Sequence, residues 1–292
     1  MADQPHAVIG WGRKRSGRRA EWIARILRRP LALLEDGFIR SFERNAPSLS
    51  VIVDDLGVYY DARVVSRMER VIAAGADGAQ SERARQLAAA WRDGGISKYN
   101  HALDYEGALP EHYVLVADQS LGDLSVIGGL ADAASFTAML HAALTENPNH
   151  TVLVKIHPDV LTHRKRGNLV PRDLQHPRIR LIADGCHPAR LLRNAACVYA
   201  VTSLIGFEAL LWSRPVRCFG MPFYAGWGLT HDHLSPPVRR GHARVEDLVH
   251  AALVAQARYA DPTDGAHWKA EQAIAYVARR RAAGFGRYVA ES

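Results

Sequence analysis

Short apolar runs alternate with longer stretches of helical periodicity along most of the chain. The apolar runs predict strands at residues 7–11, 31–34, 50–53, 113–117, 151–156, 178–182, 197–201 and 216–219, the last of the series. Apolar positions at helical spacing predict helices at residues 62–74, 81–92, 131–145, 188–195 and 206–212, and residues 244–283 are expected to be mostly helical. This alternation is typical of an α/β fold, in which helices cover the faces of parallel sheets.

The middle of the chain interrupts this series. Gly94, Gly95 and Pro110 are turn-forming residues, and a second strand–helix series opens at Tyr113. We therefore place a domain boundary near Leu109, with a first lobe at residues 1–109 and a second at residues 110–292. Each lobe is expected to be a small Rossmann-like sheet. Ligands of such sheets bind beyond the carboxyl ends of the strands, so the residues that follow each strand are the candidates for function.

Composition narrows the class of protein. Hydrophobic residues make up 48% of the 292 residues and charged residues 23%, as in soluble globular proteins. The sequence contains no apolar run of the roughly 18–20 residues that a membrane span needs, and residues 1–6 lack the apolar stretch of a signal peptide. We expect a cytoplasmic protein. Cys186, Cys197 and Cys218 form no CxxC pair, so we expect free thiols rather than disulfides or a zinc site.

A basic segment lies near the start of the chain. The net charge is +7, and residues 13–29 carry much of it. Trp22, Ile23, Ile26 and Leu27 recur there at helical spacing, so the segment is predicted to be a helix. Its cations could attract nucleic acid, anionic lipid or a phosphorylated small molecule, or could form an ordinary solvated helix face.

Acidic residues follow two of the predicted strands. Glu35 and Asp36 lie directly after the strand at residues 31–34. Glu35 could act as a general base if burial or Asp36 raised its pKa, or it could be a capping carboxylate in a loop. Asp118 and Asp123 follow the strand at residues 113–117. Asp123 could be a nucleophile, although its position alone favours a helix N-cap.

Groups suited to an anion follow two further strands. Lys155 and His157 alternate at the end of a strand and therefore share one face, and Pro158 fixes the backbone after them. Thr202 and Ser203 precede a predicted helix, where hydroxyl and N–H groups can bind an anion or simply cap the helix. A loop rich in glycine and aromatic residues, 219–230, follows. Together these positions are consistent with group transfer from a phosphate-bearing donor.

Several segments resemble the capsule polysaccharide β-Kdo transferases of the KpsC/LipA type. They are residues 11–14, 34–41, 49–62, 97–100, 119–123, 155–159, 202–203 with 206–210, and 219–230. The stretch Leu-Glu-Asp-Gly-Phe and the aromatic-glycine loop are the most specific of them. The resemblance implies a GT-B-like fold, in which two Rossmann-type lobes face a central cleft, and CMP-β-Kdo as the donor with retention of configuration.

The resemblance also implies roles for individual residues. Glu35 would act as acid/base on the acceptor hydroxyl and Asp123 as nucleophile, with Asp118 the second choice. The donor contacts would be Lys155, His157, Thr202 and Ser203. The same motifs add Asp36 to the catalytic set, Pro158, Gly206 and Glu208 to the donor-binding set, and Arg40, Gln119, Tyr224 and Trp227 to the cleft. The scheme requires no metal or other cofactor.

The chemistry of the sugar fits these roles. A carboxylate can stabilise or trap the oxocarbenium-like state at the quaternary anomeric carbon of Kdo, and two successive inversions restore the configuration. The implied partners are a CMP-sugar, a phosphatidylglycerol-type glycolipid acceptor, proteins of capsule assembly or export and an anionic membrane surface, with no nucleic acid. Family members often carry two transferase modules, whereas this chain has room for one.

Two alternatives remain open at the level of sequence. The donor could be another CMP-activated acidic sugar, such as a sialic acid relative, because the motifs do not separate these donors. The chain could also be a non-catalytic module that binds polysaccharide or nucleic acid, although binding alone would not need Glu35 and Asp123.

Overall fold

A computed structural model describes residues 7–43, 46–156, 160, 166–182 and 185–284. Its strands are β1 (Val8–Trp11), β2 (Leu31–Asp36), β3 (Ser50–Asp54), β4 (Tyr113–Ala117), β5 (Thr151–Lys155), β6 (Ile179–Ile182), β7 (Val198–Ala200), β8 (Val216–Cys218), β9 (His231–Asp232), β10 (Ala257–Ala260) and β11 (His267–Trp268). They form two separate sheets, as a two-lobed α/β fold requires.

The helices lie between and after the strands. They are α1 (Arg15–Leu27), α2 (Arg67–Ala74), α3 (Gly78–Asp93), α4 (Leu124–Gly128), α5 (Ala133–Glu146), α6 (Ala189–Arg193), α7 (Leu204–Leu211), α8 (Val245–Val249) and α9 (Ala270–Ala282). A 3₁₀ turn spans Pro171–Leu174, and a π-helical turn, His250–Ala255, continues α8. None of the described helices combines the length and apolar composition needed to cross a bilayer.

The second sheet has the strand order β6-β5-β4-β7-β8-β9, and all of its pairs are parallel. Every residue of β4 is buried, which explains why Tyr-Val-Leu-Val-Ala reads as a continuous apolar run. Ala117 pairs with Lys155 on one side and with Ala200 on the other. The carboxyl ends of β4, β5 and β7 therefore meet at one edge, and that edge carries the residues predicted to bind donor.

The first sheet corrects two expectations. Its order is β1-β2-β3-β10-β11, and only β1 and β2 run parallel; the pairs β2–β3, β3–β10 and β10–β11 are antiparallel. The chain thus returns from the second lobe to complete the first sheet, and α9 packs on α3. Residues 257–282 belong with the first lobe, not with the second as a single boundary near Leu109 implied, and strands follow residue 219.

The unpredicted strand β10 and the later start of helix α2 both have physical causes. Strand β10 has four residues and gains its conformation from pairing with β3 far earlier in the chain, a contact that no local pattern encodes. Helix α2 begins at Arg67 rather than at residue 62, because the Ser66 hydroxyl caps it by accepting from the N–H of Glu69 at 3.1 Å. Gly75 ends it, as predicted.

Aromatic side chains join the two lobes behind the cleft. Phe38, which follows β2, lies 5.5 Å from Phe207 of α7 and 5.2 Å from Phe223 of the aromatic-glycine loop, measured between ring centroids. Phe207 and Phe223 are 5.1 Å apart. Tilted pairs of this kind contribute about 0.5–1.5 kcal/mol each beyond their burial. The cleft is therefore closed on one side by a fixed apolar contact between the lobes.

A candidate active site between the lobes

Glu35 lies at the end of β2, and residues of the β1–α1 turn hold it there. The Tyr60 hydroxyl donates to Glu35 Oε1 at 3.0 Å, and the N–H of Arg13 donates to the same hydroxyl at 3.0 Å. Gly12 has φ +43°, and a β-carbon there would overlap Glu35 Oε1. The glycine thus permits both the left-handed turn and the position of the carboxylate.

The surroundings of Glu35 suit a proton acceptor. Burial raises the pKa of its carboxyl, while the Tyr60 hydrogen bond and the charges of Lys14 and Lys98 lower it in part. Such opposing effects bring a carboxyl group closer to the range in which general bases work. Its neighbour Asp36 is tied instead to Arg40, with Nε to Oδ2 at 3.0 Å.

Asp123 lies at the facing edge of the second lobe. It is the N-cap of α4, and its Oδ1 accepts from the N–H of Ser125 at 2.9 Å. Gln119, after β4, donates from Nε2 to Asp123 Oδ2 at 3.4 Å and to Ser125 Oγ at 3.3 Å. Gln119 Oε1 accepts from the N–H of Thr202 at 3.0 Å. One buried amide thus links the ends of β4 and β7 and orients Asp123.

Lys98 connects the two acidic groups. Burial lowers the pKa of its ammonium, whereas the nearby carboxylates of Asp36, Glu35 and Asp123 act to raise it. Carboxylates of both lobes therefore lie near one cation, so Glu35 and Asp123 belong to the same part of the molecule. The Tyr99 ring lies beneath this cation, 5.7 Å from Lys98 Nζ to the ring centroid.

Lys98 was missed as a site residue in the sequence. It belongs to one of the segments that resemble the transferase family, Ser-Lys-Tyr-Asn, but follows no predicted strand. The backbone of this stretch nevertheless lies beside the acidic segment, since Arg40 N–H donates to the Lys98 carbonyl at 2.9 Å. The signal that could have identified Lys98 is its basic side chain within a segment that resembles the family.

Asp118, the second choice for nucleophile, faces a different segment. Its Oδ1 accepts from the N–H groups of Asn168 and Leu169 at 3.3 and 3.4 Å, and Gly167 leaves room for its Oδ2. Burial raises the pKa of Asp118 to about 6. These contacts indicate that Asp118 fixes the 167–169 segment, which leaves Asp123 as the better candidate.

The groups predicted to bind donor line the edge of the second sheet. Lys155 is the buried last residue of β5; burial lowers the pKa of its ammonium, against the opposing influence of Cys186 and Glu208. Thr202 Oγ1 shares a hydrogen bond with Ser125 Oγ at 3.0 Å, and Ser203 caps α7 by accepting from the N–H of Ile205 at 3.3 Å. His157 and Pro158 lie outside the described residues.

Glu208 has a structural environment that its assignment to donor binding did not anticipate. It lies within α7 and is 3% exposed, and its Oε1 accepts from Ser97 Oγ at 2.7 Å and from the N–H of Lys98 at 3.1 Å. Its Oε2 has no hydrogen-bond partner among the described residues. Burial raises the pKa of Glu208 to about 7. The carboxyl group thus joins the lobes directly behind Lys98.

Tyr224 and Trp227, expected at the cleft surface, are buried. The Tyr224 hydroxyl passes over Gly206 and donates to the Ser203 carbonyl at 2.5 Å. Trp227 Nε1 donates to the Phe223 carbonyl at 2.8 Å. With their polar atoms used and their rings enclosed, both side chains support the loop from inside, and their contact with a ligand stays a prediction.

The arrangement can perform group transfer at a carbon centre. It combines a carboxylate held by an amide, a half-buried carboxyl group from the other lobe and a cation near both. Among the residues that the structure describes, no three His, Cys, Asp or Glu side chains are grouped so as to hold a metal ion. A mechanism without metal stays a prediction.

Comparison with known proteins gives the same picture. A family profile described as "Capsule polysaccharide biosynthesis protein" matches residues 6–93 and 79–260. The capsule polysaccharide modification protein LipA of Neisseria meningitidis serogroup A is 39% identical over 290 residues, which cover 93% of this chain. The lipopolysaccharide-processing protein LpsZ of Rhizobium meliloti is 34% identical over 285 residues, which cover 94% of this chain and 64% of LpsZ. The chain spans only 41% of the length of LipA.

Two solved structures from Thermosulfurimonas dismutans are similar to this chain. The KpsC β-Kdo 2,4-transferase superposes with a TM-score of 0.87 at 38% identity, covering 94% of this chain and 87% of that one. The KpsC β-Kdo 2,7-transferase superposes with a TM-score of 0.70 at 28% identity, covering 94% and 84%. The GT-B-like architecture and the resemblance seen in the sequence are thereby confirmed. On its sequence and its fold, this chain belongs to the capsule polysaccharide biosynthesis protein family, within the group of KpsC/LipA-type proteins.

Proposed function

We propose that this chain is a retaining glycosyltransferase that moves β-Kdo from CMP-β-Kdo to the Kdo linker of a capsular glycolipid. The observation that carries the proposal is that acidic side chains of both lobes, Glu35 and Asp123, lie close enough to Lys98 for their charges to raise its pKa. The solved relatives described as β-Kdo transferases support the choice of sugar. A non-catalytic module would have no use for this arrangement.

The reaction would proceed by two displacements. Asp123 attacks the anomeric carbon, its oxygen forms a bond to that carbon, and CMP leaves with the electron pair of the broken carbon–oxygen bond. The acceptor hydroxyl then attacks the same carbon from the opposite side, Asp123 leaves as a carboxylate, and Glu35 accepts the hydroxyl proton. Each displacement inverts the centre, so the product keeps the β configuration.

The remaining polar groups would bind charge. Kdo carries a carboxylate, and Lys98 is a cation close enough to Glu35 and Asp123 for their charges to act on it. Lys98 would pair with the sugar carboxylate as the donor enters. The leaving CMP phosphate would lie at the start of α7, beside Thr202 and Ser203 and at the same sheet edge as Lys155.

We propose the linkage from the similarity of this chain to the two solved transferases. Identity and TM-score are both higher for the 2,4-transferase than for the 2,7-transferase. We therefore propose that the chain forms the 2,4 linkage. Nuclear magnetic resonance of the product from a synthetic single-Kdo acceptor would show substitution at O4, and substitution at O7 would contradict the assignment.

The acceptor is proposed to be a phosphatidylglycerol-type glycolipid at the inner membrane surface. Capsule assembly and export proteins stay predicted partners.

The decisive experiment replaces the proposed nucleophile. Asp123→Asn should reduce transfer from CMP-Kdo by roughly a thousandfold or more, because the nucleophile is lost. The asparagine can still accept from the N–H of Ser125, so α4 keeps its cap. Asp132→Asn is the matched control: Asp132 caps α5 in the same way but is exposed, and this variant should keep full activity.

Mass spectrometry would test the covalent step directly. The protein incubated with CMP-Kdo and no acceptor should gain the mass of one Kdo on the peptide that contains residues 119–123. Incubation with CMP-sialic acid should give no adduct and no CMP release. Full activity in Asp123→Asn, or an adduct on Asp118 instead, would overturn the assignment of the nucleophile.

A further inference from the structure

Helix α1 packs on β1 through its smallest residues. Gly17, Ala20 and Ala24 are its buried positions. A β-carbon on Gly10 of β1 would overlap Ala20 Cβ and the Gly17 backbone, so strand and helix lie in close contact. The other sides of α1 therefore face outward.

The outermost line of α1 carries two large apolar residues, Trp22 and Ile26, beside Arg15 and Arg19. Trp22 is 63% exposed and Ile26 is 57% exposed. At about 100° per residue, both lie opposite the line of Ala20 and Ala24. Ile23 and Leu27 extend the apolar surface along one side, at 38% and 57% exposure. A surface helix normally carries its polar residues on this side. We call these four residues the α1 ridge.

Cations surround the α1 ridge. They are Lys14, Arg15, Arg18, Arg19, Arg25, Arg28 and Arg29. The side chains of these arginines make no ion pair with any residue in the part of the chain that the structure describes. The one acid of the helix, Glu21, is paired with Arg13. The surface thus combines exposed apolar groups with uncompensated positive charge.

We propose that the α1 ridge docks on an anionic lipid bilayer. Trp22, Ile23, Ile26 and Leu27 enter the boundary between headgroups and acyl chains, and the surrounding arginines contact lipid phosphates. Amphipathic helices with basic flanks bind membrane surfaces in this way. Nucleic acid is the weaker fit, because exposed isoleucine and leucine side chains offer nothing to phosphates or bases.

The placement has a consequence for the acceptor, which rests on the proposed function. The turn that begins α1 also builds the Glu35 site, because Gly12 underlies Glu35 Oε1 and Arg13 N–H holds the Tyr60 hydroxyl. Lys14 is close enough for its charge to lower the pKa of Glu35. A bilayer at the α1 ridge is therefore next to the group that deprotonates the acceptor, and a lipid-linked acceptor need not leave the membrane.

Vesicle co-sedimentation without any sugar donor tests the docking. The full chain should bind vesicles of phosphatidylcholine with phosphatidylglycerol, and binding should decrease with salt. The double variant Trp22→Ser, Ile26→Ser should bind roughly tenfold more weakly or worse, because both apolar anchors are lost. Arg19→Gln should weaken binding about fivefold, the loss of one cation near an anionic surface.

The matched control is Val238→Ser. Val238 is a fully exposed apolar residue on a loop of the second half of the chain, so its loss tests general surface hydrophobicity. This variant should bind vesicles like the parent protein. Circular dichroism should show that all variants keep their helix content, since every substituted side chain is exposed.

Separate assays distinguish this proposal from the proposed function. The double variant should transfer Kdo to a water-soluble acceptor at the parent rate but to a vesicle-borne acceptor more slowly. Undiminished vesicle binding by the double variant would overturn the docking proposal alone. Preferential binding to single-stranded DNA, or a dimer that dissociates in the double variant, would also overturn it. Ridge-dependent vesicle binding without transfer to either acceptor would overturn the proposed function alone.

Discussion

At the scale of the residue, the position of Glu35, the proposed proton acceptor, depends on one hydroxyl group. Tyr60 donates to Glu35 Oε1 and itself accepts from Arg13 N–H. Burial raises the pKa of Glu35, and the donated hydrogen bond opposes this by stabilising the carboxylate. Tyr60 therefore positions Glu35, the proposed base, and limits the rise of the Glu35 pKa.

Tyr60→Phe should move the pH dependence of transfer. Without the donated hydrogen bond the pKa of Glu35 rises further, and since the base works as a carboxylate, the acidic limb of kcat/KM should shift to higher pH. Tyr105→Phe is the control, because the Tyr105 hydroxyl contacts Arg180 rather than Glu35. A lower rate with an unmoved acidic limb would show that Tyr60 is structural only.

The acidic residues of the site could be named from the sequence, whereas their cation could not. Glu35 and Asp123 follow recognisable strands or stand at a helix start, so the rule for parallel sheets selects them. Lys98 lies in a loop, and only its surroundings in three dimensions bring it among carboxylates from both lobes. The burial of Tyr224 and Trp227 was not predicted, since local sequence does not distinguish an aromatic side chain in a cleft from a buried one.

At the scale of the element, the turn from β1 to α1 has two tasks. It reverses the chain at Gly12 with φ +43°, and it leaves space for Glu35 of the neighbouring strand. A side chain at this position would meet a steric penalty from the backbone conformation and a second one from the carboxylate.

Gly12→Ala should reduce transfer activity far more than Gly265→Ala does. We expect transfer to decrease about a hundredfold, because Glu35 must move from its position. Gly265→Ala is the matched control: Gly265 also has a positive φ, +76°, but open space around it. Both variants should lose about 1 kcal/mol of unfolding free energy in urea, the penalty for a left-handed alanine, and Gly12→Ala should lose more because its β-carbon also overlaps Glu35. Equal activities in the two variants would contradict the role of Gly12.

At the scale of the whole molecule, a buried carboxyl group joins the lobes. Glu208 of α7 accepts from Ser97 and Lys98 of the other lobe. Burial raises the pKa of Glu208 to about 7 from an ordinary 4.5. The folded state thus binds this proton more tightly than the unfolded chain does, so stability is fully present below about pH 4.5 and decreases as the pH rises through 7.

Glu208→Gln should remove that decrease. The unfolding free energy of the variant, relative to the parent, should rise between pH 5 and pH 8 by an amount on the order of 3 kcal/mol. Urea denaturation at both pH values measures the difference. Glu111→Gln, at a side chain that is 90% exposed, should show no such change. A difference that is the same at both pH values would mean that Glu208 does not titrate in this range.

The sequence by itself determined the second lobe and the identity of the acidic groups. Fully buried parallel strands have continuous apolar runs in the sequence. The candidate site residues follow these strands directly, so both features are local. Only the tertiary structure decided how the chain closes on itself. The pairing of β10 with β3, the return of α9 to the first lobe and the placement of Lys98 between carboxylates join residues far apart in the chain. Such contacts are stabilised by burial and charge in the assembled fold, and no local pattern specifies them.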